Sequence, residues 1–122
     1  MAKVLIVEDD PILSKIYNKK FLLEGFEVDI AHDGEEGLNK IKAFHPDLVI
    51  MDVMLPKLNG IEVMVRAKAD PTLAQIPVLV LSNLSTTDDA EEAVKKGAIA
   101  FLVKSDYTPA QVVSKVKEIL KM

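Results

Sequence analysis

VLIVEDDPIL, residues 4–13, joins four consecutive apolar residues to three consecutive acids, Glu8, Asp9 and Asp10. The apolar run is built from Val, Leu and Ile, which is typical of a strand covered on both faces of a parallel sheet. Like charges a few ångströms apart repel one another unless a cation or a hydrogen-bond donor lies among them. The stretch therefore indicates a buried strand whose end either forms a solvated turn or holds something positive.

A helix is predicted to begin directly after the third acid. Asp10 followed by Pro11 matches a capping residue with proline at the first helical position. Apolar residues then recur at spacings of three and four as far as Gly25, which gives the helix one apolar face. We therefore expect Asp10 to cap this helix rather than to bind a metal directly.

Short apolar runs and longer amphipathic segments alternate along the rest of the chain. The predicted strands are 4–7, 28–31, 48–51, 78–81 and 100–103. The predicted helices begin at Pro11, cover 60–69 and 88–96, and begin after Thr108, and one further helix contains Gly37, Leu38 and Ile41 and ends at His45-Pro46. Strict alternation predicts a three-layer α/β domain with right-handed crossovers. Five strands favour a doubly wound, flavodoxin-like parallel sheet in the order 2-1-3-4-5, with the alternating segment 28–31 near an edge.

The composition narrows the class of protein. The chain has 122 residues, 49% of them hydrophobic and 28% charged, which predicts one globular domain over residues 1–122. A formal charge of −4 argues against a broad nucleic-acid-binding face, because such faces are basic. The absence of cysteine excludes disulfides, zinc–thiolate sites and thiol catalysis. No segment reads as a signal peptide or a membrane span, so we expect a cytoplasmic protein.

Polar side chains follow four of the predicted strands. Glu8, Asp9 and Asp10 follow the first strand, Asp52 the third, Ser82 and Asn83 the fourth, and Lys104 the fifth. In the expected strand order these ends meet at one crevice, where doubly wound folds bind their ligands. Carboxylates beside a hydroxyl suit Mg²⁺, and an ammonium there could pair with a carboxylate or with a phosphate. The sequence therefore predicts a site for Mg²⁺ and phosphate.

Taken together, these segments resemble the receiver domain of two-component response regulators over essentially the whole chain, in particular stand-alone receivers of the chemotaxis or sporulation type. The matching segments are VEDD at 7–10, MDVMLPKLNG at 51–60, LSNL at 81–84 and KKGAIAFLVK at 95–104. The resemblance implies that Asp52 accepts a phosphoryl group from a sensor histidine kinase or a histidine phosphotransfer protein. It also implies direct Mg²⁺ ligation by Asp9, Asp52 and the backbone carbonyl of Met54, with Glu8 acting through water.

The resemblance also implies a switch. Ser82 and Lys104 would contact the phosphoryl oxygens, and Phe101 would turn inward on activation. A downstream protein would dock on the face formed by helix 4, strand 5 and helix 5. The chain would be a monomer or a phosphorylation-dependent dimer without direct nucleic-acid or membrane binding. It would not be an enzyme beyond catalysing its own phosphorylation and dephosphorylation.

The chain departs from the receiver pattern at three places. Ser105 follows Lys104 where receivers usually have a cis proline, and a cis bond before another residue costs ~3–4 kcal/mol. That bond is therefore either trans with a reshaped loop or cis and strained. Asn83 occupies a position where alanine is common. The positions that flank the expected phosphoryl group, Met54 and Leu84, are apolar and cannot orient an attacking water, so we expect slow autodephosphorylation.

Other functions remain open at this point. A flavodoxin-like electron carrier shares the topology, but it needs a Ser/Thr/Gly-rich phosphate loop where this chain has three acids. A phosphatase with an aspartate nucleophile typically has a second aspartate two residues later, where this chain has Met54. A degenerate receiver that only binds proteins is disfavoured by the complete set of acids, serine and lysine. A receiver fragment of a longer regulator is as compatible with the sequence as a stand-alone receiver.

Overall fold

The structure, a computed structural model, describes residues 1–83 and 87–122, and of residues 87–89 only the backbone. The strands are β1 (Lys3–Val7), β2 (Glu27–Ala31), β3 (Leu48–Met51), β4 (Val78–Ser82) and β5 (Ala100–Val103). The helices are α1 (Pro11–Leu23), α2 (Gly34–Phe44), α3 (Gly60–Ala69), α4 (Thr87–Lys95) and α5 (Pro109–Leu120). Within the described ranges, no helix has both the length and the apolar character that crossing a membrane requires.

All described strand pairs are parallel, and the order is β2-β1-β3-β4-β5. This confirms the predicted doubly wound α/β fold. β1 pairs with β3, with Val7 opposite Met51, so the ends of these two strands lie side by side. The connection that leaves β1 runs to one side of the sheet, toward β2, and the connection that leaves β3 runs to the other side, toward β4. A crevice therefore opens beyond the carboxyl ends of β1 and β3.

Two hydrophobic cores lie on opposite faces of the sheet, because successive side chains of a strand point to opposite sides. The α1 and α5 face holds Tyr17, Phe21, Val112, Val113 and Val116 against Val4, Ile6, Leu48, Ile50, Leu79 and Leu81. The α2, α3 and α4 face holds Ile41, Val63, Met64, Ala67 and Ala93 against Leu5, Val7, Val49, Met51, Val78 and Val80. Burial on both faces explains the continuous apolar runs of β1, β3 and β4.

β5 lies at the edge of the sheet, as the predicted strand order requires. Its burial differs from the expectation, because its continuous apolar run predicts a strand covered on both faces, whereas three of its four residues are only half-buried. Among the described strands, β5 pairs with β4 alone. β2, which was expected near an edge, occupies the other edge.

Asp10 caps α1 as predicted. Its carboxylate accepts hydrogen bonds from the backbone nitrogens of Ile12 (2.9 Å) and Leu13 (3.3 Å). These two amides belong to the first turn of the helix, where backbone N–H groups lack helical partners. The predicted capping box at α5 is also present, with Thr108 and Gln111 each bonded to the other's backbone nitrogen.

We predict that Asp10→Ala lowers the free energy of unfolding by about 1 kcal/mol, because it removes this cap. Urea denaturation without Mg²⁺ measures the loss. Asp9→Ala is the matched control, since it deletes the neighbouring exposed carboxylate, which caps no helix in the described structure. Asp10→Ala should leave Mg²⁺ affinity unchanged. Equal losses of Mg²⁺ affinity in both variants would contradict the assignment of Asp10 as a cap.

Candidate functional site

The carboxyl ends of β1, β3, β4 and β5 surround a crevice of about 330 Å³. Its lining consists of Glu8, Asp9, Asp10, Asp52, Met54, Ser82, Asn83 and Lys104. Every polar residue that the sequence analysis names after the first, third, fourth and fifth strands therefore lies in this one lining. The sheet order brings them together, because it places the ends of these four strands side by side.

Lys104 is the centre of the crevice. Its ammonium donates hydrogen bonds to Glu8 Oε1 and to Asp52 Oδ2, the second at 2.8 Å. Glu8 is 3% exposed and Asp52 6%, and the lysine side chain is also largely enclosed. Hydrogen bonds to ionised partners in a site of low dielectric constant are stronger than those at the surface. One cation thus holds together residues that follow β1, β3 and β5.

The backbone fixes both carboxylates. Asp52 N donates to Val7 O (3.1 Å), and Asp52 Oδ1 accepts from Met54 N (3.3 Å). Glu8 Oε2 accepts from Asp10 N (3.3 Å). Neither side chain can therefore turn away without losing a hydrogen bond. The carboxylates are held in place before any ligand arrives, which is a requirement of electrostatic catalysis.

Gly60 lets α3 begin against the backbone of Asp52. A Cβ atom at this position would lie 1.9 Å from the carbonyl oxygen of Asp52 and 2.9 Å from Cγ of Met51. Gly60 N also donates to Val53 O (2.9 Å). Any side chain here would have to push α3 away from the end of β3. The glycine eight residues after Asp52 is therefore a packing requirement of the site.

Glu8 and Lys104 both have pKa values above their ordinary values. Burial raises the pKa of Glu8, and the hydrogen bond and charge of Lys104 offset this only in part. Burial lowers the pKa of Lys104, but the hydrogen bonds and charges of Asp52 and Glu8 outweigh it, so the pKa lies above its ordinary value. Lys104 therefore stays charged at neutral pH, and Glu8 takes up protons more readily than a solvated glutamate.

Glu8, Asp9 and Asp52 form a group that could hold a metal ion. One carboxylate oxygen from each lies within 4.8 Å of the others. Glu8 and Asp52 are buried and Asp9 is exposed at the mouth. Mg²⁺ prefers oxygen ligands and keeps several waters, so one or two direct carboxylates and an open side suit it. The donor set fits the predicted Mg²⁺ site.

The structure brings Ser82 into the crevice but not Phe101. Ser82 lies at the end of β4, is almost fully buried and belongs to the lining. Phe101 is half-buried in β5 and packs against the core on the α2, α3 and α4 face. Met54 lies at the rim with 66% of its surface exposed. The roles inferred for these residues from the receiver resemblance remain predictions, and Leu84 lies outside the described residues.

The peptide bond between Lys104 and Ser105 is trans, because the described chain contains no cis peptide bond. This selects one of the two alternatives that the sequence left open. Lys104, Ser105 and Asp106 form a 3₁₀ turn, and Tyr107 N donates to Lys104 O (3.3 Å). The turn orients the backbone that carries Lys104, a task that a proline performs in the common receiver pattern.

The sequence did not predict that two further residues lie near the site. Tyr17 belongs to α1 and is buried in the core. Burial raises its pKa, the charge of Lys104 lowers it, and the charges of Glu8 and Asp52 raise it. Its place in the apolar stripe of α1 predicted only core packing. His32 has its Nδ1 3.2 Å from the backbone oxygen of Glu8. No spacing signal links His32 to Glu8, because the contact arises from the pairing of β1 with β2.

Comparison with known proteins finds a matching family model and similar sequences. The family model described as the response regulator receiver domain matches residues 4–117. The DNA-binding dual master transcriptional regulator RpaA of Synechocystis is 32% identical over 121 residues, which are 99% of this chain and 50% of that protein. The chain spans about half or less of the length of the first curated relatives that it matches.

Solved structures also match over nearly the whole chain. The receiver domain of the Francisella response regulator 1452 has a TM-score of 0.91 and 28% identity, covering 99% of this chain and 98% of that one. The complex of CheX and CheY with BeF3 and Mg²⁺ from Borrelia burgdorferi has a TM-score of 0.89 and 30% identity, covering 98% and 89%. These similarities support the fold.

Proposed function

The chain belongs to the response regulator receiver family, and from this we propose that Asp52 accepts a phosphoryl group from a phosphohistidine in a Mg²⁺-dependent reaction. The observation that carries the proposal is the contact of Lys104 with both Asp52 and Glu8 in a buried crevice. A solvated turn would not bury two carboxylates with one ammonium, because desolvation of charges is costly unless a function or a partner offsets it.

Each residue of the crevice would have its own role in the phosphoryl transfer. A carboxylate oxygen of Asp52 attacks phosphorus, and the bond from phosphorus to the imidazole nitrogen breaks with its electron pair left on that nitrogen. Lys104, which is hydrogen-bonded to Asp52, would contact the incoming phosphoryl oxygens. Asp9 and Asp52 would hold Mg²⁺, with Glu8 positioned to orient a water. The metal, when bound, neutralises charge on the transferring group.

We further infer that the added charge at Asp52 switches a docking surface. An aspartyl phosphate adds charge and acceptor oxygens, and Ser82 in the same lining is positioned to donate to them. Movement of Ser82 and Phe101 would then change the face formed by α4, β5 and α5, on which a downstream protein would dock. The chain would catalyse only its own phosphorylation and dephosphorylation.

The expected partners remain predictions. They are a sensor histidine kinase or a histidine phosphotransfer protein, and one downstream protein, in the cytoplasm. RpaA is described as DNA-binding, but this chain spans only half of it. We propose no direct nucleic-acid or membrane contact for this segment, and a monomer or a phosphorylation-dependent dimer as its state. A stand-alone receiver and a part of a longer regulator both fit these partners.

Phosphorylation with acetyl phosphate and Mg²⁺, followed by intact-mass measurement, tests the proposal. Wild type should gain one phosphoryl group, Asp52→Asn none, and Asp9→Ala none above the level seen with EDTA. Glu8→Ala should react more slowly. Asp106→Asn, which changes an exposed acid outside the crevice, is the matched control. An unmodified wild type, or equal uptake by Asp52→Asn, would overturn the assignment.

We predict that autodephosphorylation is slow, because the exposed Met54 cannot hydrogen-bond a water at the rim. A Met54→Asn, Leu84→Glu variant should lose its phosphoryl group at least about tenfold faster, since orienting a water is part of general acid–base catalysis. Decay of ³²P-labelled protein after removal of the donor measures both rates. Met54→Leu is the apolar control and should decay at the wild-type rate. Equal decay in all three proteins would contradict the prediction.

A further inference from the structure

The chain passes from β2 into α2 through residues 31–34, which we call the connection 31–34. All of its residues are described, and none of them belongs to the lining of the crevice. It nevertheless contacts two segments that carry expected Mg²⁺ ligands. One is the end of β1, with Glu8, and the other is the loop 53–59, with Met54. The connection 31–34 therefore links two parts of the predicted metal site without supplying a ligand.

On one side, the connection 31–34 holds the backbone of Glu8 at two atoms. Glu8 N donates to Ala31 O (2.9 Å). His32 Nδ1 lies 3.2 Å from Glu8 O, and because a carbonyl oxygen can only accept, the imidazole N–H is the donor. Asp9 is the next residue of the chain, so the backbone from which this acid projects starts at the double contact.

On the other side, Gly34 lies directly against the backbone of the loop 53–59. Gly34 N donates to Pro56 O (3.2 Å), and the same oxygen accepts from Leu58 N (2.7 Å). A Cβ atom on Gly34 would lie 1.7 Å from Leu58 O and 2.6 Å from the carbonyl carbon of that residue. Only glycine permits the two backbones to come this close. Any side chain at this position would push the loop away from the start of α2.

Further hydrogen bonds within the loop 53–59 connect this contact to Met54. Leu55 N donates to Val53 O (3.0 Å), and Met54 N donates to Asp52 Oδ1 (3.3 Å). Met54 is thus held in a tight backbone turn two residues before Pro56. A displacement of the loop at Gly34 should therefore move the backbone carbonyl of Met54, which is an expected Mg²⁺ ligand.

We propose that Gly34 and His32 are positioning residues for the Mg²⁺ site, because the connection 31–34 sets the spacing between the backbone of Glu8 and the carbonyl of Met54. The proposal rests on the metal site of the proposed function. Mg²⁺ demands near-ideal octahedral geometry with ligands at about 2.0–2.1 Å, so a small displacement of one ligand weakens binding. Residues that only orient metal ligands are for this reason important for affinity.

Titration with MgCl₂ alone, followed by NMR of the backbone amides of the crevice, tests the role of Gly34. Gly34→Ala should lower Mg²⁺ affinity about tenfold. The Mg²⁺ concentration that gives half of the maximal phosphorylation rate with acetyl phosphate should rise by the same factor. The rate at saturating Mg²⁺ should stay within about twofold of wild type, because the variant weakens binding and leaves the reacting groups in place.

Gly37→Ala is the matched control on the same helix. A Cβ atom there would lie 2.9 Å from Cγ1 of Val7, so the variant disturbs the packing of α2 on a side chain of β1 and not on the loop 53–59. It should lower the free energy of unfolding and leave Mg²⁺ affinity unchanged. A loss of affinity that merely follows lower stability would appear in both glycine variants.

Variants of His32 test the other side of the connection 31–34. His32→Leu removes the donor to Glu8 O and should weaken Mg²⁺ binding about threefold, the usual effect of one hydrogen bond. His32→Asn should restore the affinity, because the amide nitrogen of asparagine can take the place of Nδ1. His32 is exposed, so both variants should fold.

The outcomes separate this proposal from the proposed function. Wild type that binds Mg²⁺ but takes up no phosphoryl group overturns the phosphorylation alone, and the affinities still decide the positioning role. Wild type that binds no Mg²⁺ overturns the metal site and the positioning role together. Unchanged affinity in Gly34→Ala, or an equal loss in Gly37→Ala, overturns the positioning role only. If Gly34→Ala fails to fold, unchanged affinity in His32→Leu overturns it.

Discussion

Lys104→Met should lower the free energy of unfolding by about 3–5 kcal/mol at pH 7 without Mg²⁺, which is the usual cost of removing one partner of a buried ion pair. The substitution leaves the carboxylates of Glu8 and Asp52 buried together without the ammonium that both contact. Phosphorylation by acetyl phosphate should fall to the level of the Asp52→Asn variant. Urea denaturation and intact-mass measurement check the two effects.

The stability lost in Lys104→Met should be smaller at acidic pH than at pH 7. Burial and the charge of Asp52 already raise the pKa of Glu8 in wild type, and Lys104 opposes both. Without the ammonium, the folded-state pKa of Glu8 moves further above its unfolded value. Between the unfolded-state and the folded-state pKa of Glu8, the folded protein binds more protons than the unfolded one. The free energy of unfolding therefore falls as the pH rises through this range. The stability lost in Lys104→Met should therefore become smaller as the pH falls through the raised folded-state pKa of Glu8 toward its ordinary value of 4.5.

A control variant at an exposed lysine distinguishes the loss of the buried interaction from the loss of one positive charge. Lys96→Met removes a lysine whose contact with Glu92 (3.4 Å) lies on the exposed surface of the protein. It should lose only a small fraction of the stability that Lys104→Met loses, because surface ion pairs are screened by water. Saturating Mg²⁺ should recover part of the Lys104→Met defect, since a bound cation stabilises the folded state. Equal losses in the two variants would refute the central role of Lys104.

Gly60→Ala should cost about 3 kcal/mol or more and should also impair Asp52. The added methyl group would lie 1.9 Å from the backbone oxygen of Asp52, a separation that forces α3 or the end of β3 to move. Because Asp52 follows β3 directly, the shift should reduce the rate of phosphorylation together with stability. Thermal unfolding and the initial rate with acetyl phosphate measure the two losses.

Gly25→Ala is the control for this prediction. Gly25 has a φ of +89°, but a Cβ atom there would meet nothing within 4 Å. Alanine at this position should cost about 1–2 kcal/mol through backbone strain alone and should leave the phosphorylation rate unchanged. A Gly60→Ala protein with normal stability and normal phosphorylation would show that the close approach of α3 to Asp52 is not required.

The parts of the structure that follow from periodicity were predicted correctly. The apolar run of residues 4–7 and the Asp10-Pro11 cap needed only local rules, and both are present in β1 and α1. The meeting of Glu8, Asp52 and Lys104 followed from strand order, because parallel strands place their carboxyl ends at one edge. Their positions were therefore predictable from the topology.

Other features depend on tertiary contacts that no local pattern encodes. The partial exposure of β5 is one of them, because it pairs with β4 alone among the described strands, although its sequence is as apolar as that of β3. The trans bond before Ser105 was one of two alternatives, and the neighbouring 3₁₀ turn accompanies it. The hydrogen bonds from Lys68 to Ala74 O and Ile76 O could not be predicted, because a helical lysine near a loop is usually solvated. Its carbonyl partners become apparent only in the folded chain.

The contacts of Lys104 also set an order of events. With its four carboxylates ionised, Glu8, Asp9, Asp10 and Asp52, and with the ammonium of Lys104, the crevice carries three negative charges, and one divalent cation reduces them to one. A phosphoryl donor is itself an anion, so it would be repelled from the crevice without metal and repelled much less once the metal is bound. Mg²⁺ should therefore bind first and the donor second, and raising the salt concentration should slow the metal step more than the transfer.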